Sequence, residues 1–463
     1  MATIKFGTDG WRAIIDKDFN TDNLLLVVKA IANYIYETYG LNKLIIIGYD
    51  PRNKADLFSK MAADILTELG FTVYYSDKII PTPILAYNAK HLNACALMFT
   101  ASHNPPEYLG LKFIPDYAGP ADTEITDKIV SYIEKPLIFS QTNTGNLVNY
   151  DFYPDYLEHL KSIVDFDKIK SLEKTVIFDG LYSAAIGYFD KILANLNLNY
   201  KTLHMKHDKY FGGLMPDPKP KYLKELIAEV KNTKNSIGLS NDGDSDRFGV
   251  INEKGEYVSP NEIIAILLMY LKKYKKYSGK LIKTVGGSLL LDKIADYLGV
   301  EVIETPVGFK HVGKAMRENE FIIGGEESGG LSIKNHIPEK DGILANLLIL
   351  EVLAATKLNL TALQKELKDI AKTDFINDRI DLPLKNQEET NFVIEKFKNS
   401  DNNFSNLKIT KKDTKDGIKI YFNDNFSWIL IRPSGTEPLL RCYIETNSTD
   451  KLKQLKTDIK NMI

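Results

Sequence analysis

The stretch Ala94-Cys95-Ala96-Leu97-Met98-Phe99-Thr100-Ala101-Ser102-His103-Asn104-Pro105 decides how this chain is read. Its first six residues form an apolar run that predicts a buried strand. The run then opens into a small polar loop in which the Ser102 hydroxyl stands beside the His103 imidazole. In α/β proteins, loops at the carboxyl ends of strands are where nucleophiles and ligand contacts are presented. Ser102 is therefore the candidate nucleophile.

Outward from this stretch, short apolar runs alternate with helical spacing. Lys43–Gly48 predicts a strand, Asp56–Leu69 a helix with Leu57, Met61, Ile65 and Leu66 on one side, and Phe71–Tyr75 a strand. The pattern returns as strand Thr175–Phe178, helix Ala185–Leu196 and strand Ile237–Ser240. It returns again in strands Leu281–Val285, Glu301–Ile303 and Glu320–Ile323. This is an α/β chain of three similar units with parallel or mixed sheets, each carrying a Gly/Ser/Asp-rich turn after a short strand. The turns are Thr100–Pro105, Asp242–Arg247 and Gly325–Gly330, and a helical Lys357–Ala371 stretch closes the third unit. From Lys372 the composition turns to Asp, Asn and Lys, with a polar, mobile loop expected at Asn399–Asn406. Strands Ile418–Phe422 and Trp428–Ile431 and a helix Asp450–Ile463 then make a smaller α+β domain. The expected boundaries are 1–145, 146–252, 253–371 and 372–463.

Asp242-Gly243-Asp244-Ser245-Asp246-Arg247 sets three carboxylates at alternate positions. Alternate side chains share a face, so the three can converge on one hard cation such as Mg²⁺. A calcium loop is the competing reading, since Glu253 falls at its twelfth position, but Arg247 stands where that loop needs glycine. A plain acidic surface turn is the third. Arg432-Pro433-Ser434-Gly435-Thr436-Glu437-Pro438 combines a guanidinium, two hydroxyls and a glycine, which suits a phosphate cradle or a simple Pro/Gly turn. Glu326 and Ser328 offer acceptors for sugar hydroxyls, or belong to an exposed acidic turn. Lys310 could meet a phosphate or be a solvated surface group, and Arg12 ends a glycine-rich turn. Lys112 returns toward Ser102 either as an acid/base or as a structural ion pair.

Composition narrows the classes. A chain of 463 residues with 44% hydrophobic and 26% charged residues reads as several globular domains. A net charge of −2 supplies no bulk attraction for nucleic acid or anionic membrane. Two cysteines in apolar runs, Cys95 and Cys442, exclude a disulfide scaffold and suit a reducing compartment. The first residues lack a cationic segment followed by an apolar one, and the apolar run Ile263–Leu271 is too short to span a bilayer. The expectation is a cytoplasmic, soluble protein, monomer or homodimer, acting on small molecules.

Together, Phe6–Gly10 and the loops at Ser102, Asp242, Gly325 and Arg432 closely resemble the α-D-phosphohexomutase family of phosphoglucomutases, phosphomannomutases and phosphoglucosamine mutases. The resemblance spans the chain. It implies three similar α/β domains and a C-terminal domain of different fold around one central cleft. It implies Ser102 as phosphoserine, and Asp242, Asp244 and Asp246 as Mg²⁺ ligands together with that phosphoserine. Arg247 and Arg12 would lie by the transferring group, with His103 and Lys112 as acid/base candidates. Glu326 and Ser328 would read sugar hydroxyls, Arg432, Ser434, Gly435 and Thr436 would hold the distal phosphate, and Lys310 would contact phosphate. The implied activity interconverts hexose 1- and 6-phosphates through a hexose 1,6-bisphosphate such as glucose 1,6-bisphosphate. Gly330 stands where many dual-specificity and aminosugar members have histidine, and Ser245 replaces a more usual glycine. With Thr305–Lys310 and Glu326-Glu327, this points to glucose, ahead of mannose and then glucosamine. The other readings are a phosphoglucosamine mutase, a Mg²⁺-dependent sugar phosphatase and an inactive sugar-phosphate-binding relative.

Overall fold

A computed structural model describes residues 4–7, 9–140, 144–400, 403–433 and 439–462. Three sheets repeat one arrangement. In the first, Val73–Tyr75, Ile45–Tyr49 and Cys95–Phe99 run parallel side by side, and Tyr108–Ile114 pairs antiparallel with the last of them. In the second, Tyr200–Leu203, Thr175–Asp179 and Ser236–Asn241 are parallel and Phe248–Ile251 returns antiparallel. In the third, Val302–Thr305, Lys280–Thr284 and Phe321–Gly325 are parallel and Leu331–Ile333 returns. Each unit thus ends its parallel trio in a hairpin, and the three hairpin tips are the Ser102, Asp242–Arg247 and Glu326–Gly330 loops. The fourth sheet has six strands in an all-antiparallel order, with helices Gln387–Lys398 and Thr449–Asn461 packed on it. The expected architecture of three similar mixed-sheet units and a C-terminal α+β domain is present.

The local reasons are ordinary. Strands such as Cys95–Phe99 are buried throughout, because helices cover both faces of the sheet, and so read as continuous apolar runs. Helix Pro260–Lys273 starts with a capping box between Ser259 and Glu262 and a proline in its first turn. Helix Gly342–Thr356, which periodicity passes over, is apolar on every side and buried along nearly its whole length. Asp341 caps it, accepting from Leu344 N. No single helix among the described residues is long and apolar enough to cross a membrane. Both cysteines are buried and free.

Several expected limits move. The helix expected from Ala185 begins at Phe189, because Gly187 at φ +85° holds the preceding residues in a turn. The helix expected from Lys357 begins at Leu360: Lys357 is in the left-handed region and terminates the helix before it. Strand Leu147–Asn149 pairs with Val73–Tyr75, so the first sheet reaches past residue 145. Tyr257–Val258 pairs with Phe248–Ile251, so a boundary at 252/253 would cut a hairpin. Asn403–Phe404 forms a short strand within the stretch expected as loop, while 401–402 lie outside the described residues.

One core runs through all three α/β units, joining Ile84, Phe178, Ile263 and Leu347 in a single cluster. The C-terminal domain has its own core around Phe397, Ile429 and Ile444. It meets the third unit at a small cluster in which Val285 packs with Trp428, Leu430 and Tyr443.

Candidate active site

Ser102 follows its strand in the left-handed region, at φ +51°. Its Oγ donates to Asp242 Oδ2 at 2.9 Å and lies 3.4 Å from His103 Nδ1. The second hairpin tip comes close enough that a Cβ on Gly243 would lie 2.7 Å from Ser102 O, so only glycine fits. Ser245, two residues on, adopts φ +65°, a conformation that glycine takes without strain, and its buried hydroxyl is unpartnered.

Asp242, Asp244 and Asp246 are fully buried, and each offers a carboxylate oxygen within 4.8 Å of the others. Asp244 Oδ1 and Asp246 Oδ1 are buried without hydrogen-bond partners. An all-oxygen set with orphaned, inward oxygens fits a hard divalent cation such as Mg²⁺. Burial, then the charges of Asp246 and Asp244, push the Asp242 carboxyl well above its usual range, the response of an acidic cluster that lacks enough positive charge. The calcium-loop alternative fails here. Phe248–Ile251 is a strand that carries Glu253 beyond the hairpin tip, where its Oε1 accepts from Thr361 N.

Lys112 lies on the strand returning from the Ser102 loop, and it is buried. Its Nζ is 2.8 Å from Asp244 Oδ2, 2.9 Å from Asp246 Oδ2 and 3.0 Å from Asp9 Oδ2. Burial alone would depress this amine, but the three carboxylates win and raise it well above its ordinary value. Asp244 shows the reverse. Burial lifts it, but the Lys112 ammonium and hydrogen bonds from Lys112 and Thr82 bring it down to about 2. His103 is driven well below its ordinary value by enclosure and by the charges of Arg247, Arg12, Lys219 and Arg52, so its imidazole is neutral.

Arg247 donates its backbone N–H to Asp242 Oδ1 at 3.0 Å, and its side chain faces Asp246 and Glu326. Arg12 bridges Asn104 Oδ1 at 2.8 Å and Asp9 Oδ2 at 2.9 Å. Glu326 is buried rather than exposed, accepts from Ser328 Oγ, and is raised by that burial against the pull of Arg247. A Cβ on Gly330 would lie 2.4 Å from Lys340 Cδ, so the glycine makes room for a buried lysine whose Nζ is 3.3 Å from Asp246 Oδ2.

Lys310 and Arg432 form a second group. Arg432 pairs with Asp416, whose Oδ2 also accepts from Val307 N of the third unit. Lys310 donates to Thr123 Oγ1 at 3.1 Å. His311 feels the charges of both Lys310 and Arg432, which with its burial lower its imidazole. Ser434, Gly435 and Thr436 lie outside the described residues.

Five residues escaped the sequence reading of the site. Thr82 donates Oγ1 to Asp244 Oδ2 at 2.6 Å, Asp9 pairs with Lys112, and Lys340 reaches Asp246. Asp50 and Arg52 hold the Ser102 loop from behind. Asp9 sits in the glycine-rich turn already singled out; the others carry no local signature.

Comparison with known proteins agrees with this geometry. Family models for phosphoglucomutase/phosphomannomutase alpha/beta/alpha domains I, II and III match residues 3–137, 154–255 and 259–370, and the C-terminal domain model matches 389–462. The chain is 29% identical to a phosphoglucomutase/phosphomannomutase of Thermococcus kodakarensis, covering 97% of this chain and 96% of that one. It is 28% identical to a phosphoglucosamine mutase of Finegoldia magna, covering 99% and 98%. A crystal structure from Thermus thermophilus, provisionally named a phosphomannomutase, superposes with a TM-score of 0.88 at 29% identity, covering 100% of this chain and 99% of that one.

Proposed function

The chain belongs to the α-D-phosphohexomutase family, and on that footing we propose that it interconverts glucose 1-phosphate and glucose 6-phosphate, accepting mannose phosphates as well. It is an intramolecular phosphotransferase of the phosphoglucomutase/phosphomannomutase type. The observation that carries the proposal is the Ser102 hydroxyl held 2.9 Å from Asp242 within three buried carboxylates, two of which, Asp244 and Asp246, keep an oxygen unpartnered.

In this reading Ser102 carries a phosphoryl group as its ester. The bond from phosphorus to Ser102 Oγ breaks as one forms to the free hydroxyl oxygen of a hexose monophosphate, whose proton passes to a base. The product is a hexose 1,6-bisphosphate, which turns end over end and returns its other phosphate to Ser102. His103, neutral and beside Ser102 Oγ, is the group able to take the proton. Lys112, held charged by three carboxylates, is suited to orienting Asp244 and Asp246 instead. A Mg²⁺ held by Asp242, Asp244 and Asp246 would neutralise phosphoryl charge during transfer. Arg247 adds a fixed cation beside the same oxygens, and Arg12 fixes Asn104 of the serine loop. Glu326 and Ser328 accept from sugar hydroxyls. Arg432 and Lys310, with Ser434, Gly435 and Thr436, receive the phosphate that is not reacting. That cradle belongs partly to a domain with its own core, so closure of the C-terminal domain over the sugar would exclude water.

The glucose preference rests on Gly330, Thr305–Lys310 and the paired Glu326-Glu327. The name carried by the Finegoldia magna relative keeps glucosamine phosphate as the second substrate to assay. The test measures initial rates with Mg²⁺ and trace glucose 1,6-bisphosphate on glucose, mannose and glucosamine 1-phosphates, with free phosphate followed in each. Fast isomerisation of glucose 1-phosphate without phosphate release is expected. Net phosphate release without isomer would overturn the mutase reading, and Ser102→Ala with undiminished turnover would overturn the role of Ser102.

A further inference from the structure

We propose that Arg52 is the positioning residue of the phosphoryl-carrying serine; the proposal rests on the reading of Ser102 as that carrier. Arg52 follows strand Ile45–Tyr49, and its side chain has no solvent exposure. Its Nη2 donates to Ser102 O at 2.6 Å and Asn104 O at 2.7 Å. Its Nη1 donates to Pro105 O at 2.8 Å and Tyr108 O at 2.9 Å. One guanidinium therefore gathers three carbonyls of the loop after Cys95–Phe99 and that of Tyr108, the first residue of the returning strand.

Arg52 is held in turn by Asp50. Its Nε lies 3.3 Å from Asp50 Oδ2, and its backbone N–H donates to Asp50 Oδ1 at 3.0 Å. Asp50 Oδ2 also accepts from Thr100 Oγ1 at 2.6 Å, and Thr100 Oγ1 accepts from Ser102 N at 2.8 Å. Both backbone polar groups of Ser102 thus end on one buried ion pair, the N–H through Thr100 and Asp50, the carbonyl through Arg52. This anchoring keeps Ser102 at φ +51°, a left-handed conformation disfavoured for a residue with a Cβ, and there its Oγ donates to Asp242.

The guanidinium carbon lies 5.0 Å from the centre of the Phe211 ring, from the second unit. The segment that follows Phe211 supplies Pro216 O, which accepts from Gly243 N of the metal loop at 3.1 Å. Arg52 is therefore seated between the serine loop and the segment that supports the aspartates, and it sets the distance between the two. Lysine cannot replace it: an ammonium has three donors and no plane, whereas four carbonyls here converge on a planar fork. On the serine loop Arg52 bonds only backbone carbonyls, so it acts through the placement of Ser102 and not on the sugar.

The experiment compares full-length wild type, Arg52→Lys and Arg52→Gln, each checked by thermal melting. Two quantities are read: kcat and KM for glucose 1-phosphate, and the rate at which isolated phosphoenzyme loses phosphate to water relative to kcat. Misplacing a reacting group by about 1 Å costs roughly 100-fold, so Arg52→Lys is expected to lose kcat by about that factor. KM is expected to stay within about threefold, because the sugar contacts lie on other loops, and the ratio of hydrolysis to transfer is expected to rise. A folded Arg52→Lys with wild-type kcat overturns the proposal. So does a loss of kcat/KM carried by KM with the hydrolysis ratio unchanged. If Arg52→Gln fails to fold, Arg52→Lys decides alone. Wild type inactive on every sugar would instead overturn the reading of Ser102, and this proposal with it.

Discussion

Replacing Lys112 by methionine keeps most of the side chain's volume but removes the ammonium that Asp9, Asp244 and Asp246 share. Two estimates bracket the cost. The Asp244 carboxyl, held at about 2 against an ordinary 3.8, corresponds to roughly 2 kcal/mol. Breaking a buried ion pair by removing one partner costs about 3–5 kcal/mol, because the other charge stays buried. At about 2–4 °C per kcal/mol for units of this size, the variant is expected to melt roughly 5–15 °C below wild type in chelator at pH 7. The sign with pH follows from the depressed carboxyl. Its contribution is fully present above the unfolded value near 3.8 and is lost as pH falls through about 2. In the variant the carboxylates lack that charge and, like Asp242, are pushed upward, so it regains stability by taking up protons as pH falls, and the gap narrows from neutral pH into acid. Added Mg²⁺ is expected to narrow it at neutral pH by returning positive charge to the same oxygens. Thermal melts of both proteins with chelator and with Mg²⁺ measure all of this. A variant melting within about 2 °C of wild type in chelator at pH 7, or a gap that widens below pH 4, would refute the shared-cation account.

Two further outcomes are expected. Ser245→Gly relieves a left-handed serine whose buried hydroxyl has no partner, and a gain of about 1 kcal/mol is expected in urea unfolding after the extra unfolded-state entropy of glycine is set against it; a loss of stability would show that Ser245 makes a contact worth more than its strain. Lys419, buried over Trp428 at 4.2 Å, is brought down to about 8 by burial and then by Lys283. Between about 8 and 10.5 the unfolded chain binds more protons, so wild-type stability is expected to rise with pH across that window relative to Lys419→Met. Parallel melting curves for the two proteins from pH 8 to 10 would sink that assignment.

The elements that the residue pattern predicts well are those whose cause is local. Cys95–Phe99 is apolar because both its faces are covered, and that shows within the segment. Helix Gly342–Thr356 escaped because burial on every side erases the amphipathic period that marks a helix. The start of the helix near Ala185 was misplaced for a different reason: Gly187 ends a turn whose residues are themselves apolar and packed, so composition alone continues the helix too far back.

Short-range pattern was enough to specify the three α/β units, the C-terminal α+β domain, and the loops carrying Ser102 and the three aspartates, since strand ends, turn residues and alternate carboxylates are written within a few residues of one another. What surrounds those loops came only from the packing of distant segments. Lys112 and Asp244 are separated by 132 residues, and Thr82 and Asp244 by 162. A single lysine, threonine or arginine has no local pattern that foretells its partners. Only when three hairpin tips meet over one continuous core does Lys112 become the shared counter-charge, and Arg52 the clamp behind Ser102. Burial in that setting leaves each of them a partner or a large penalty, and so fixes the arrangement.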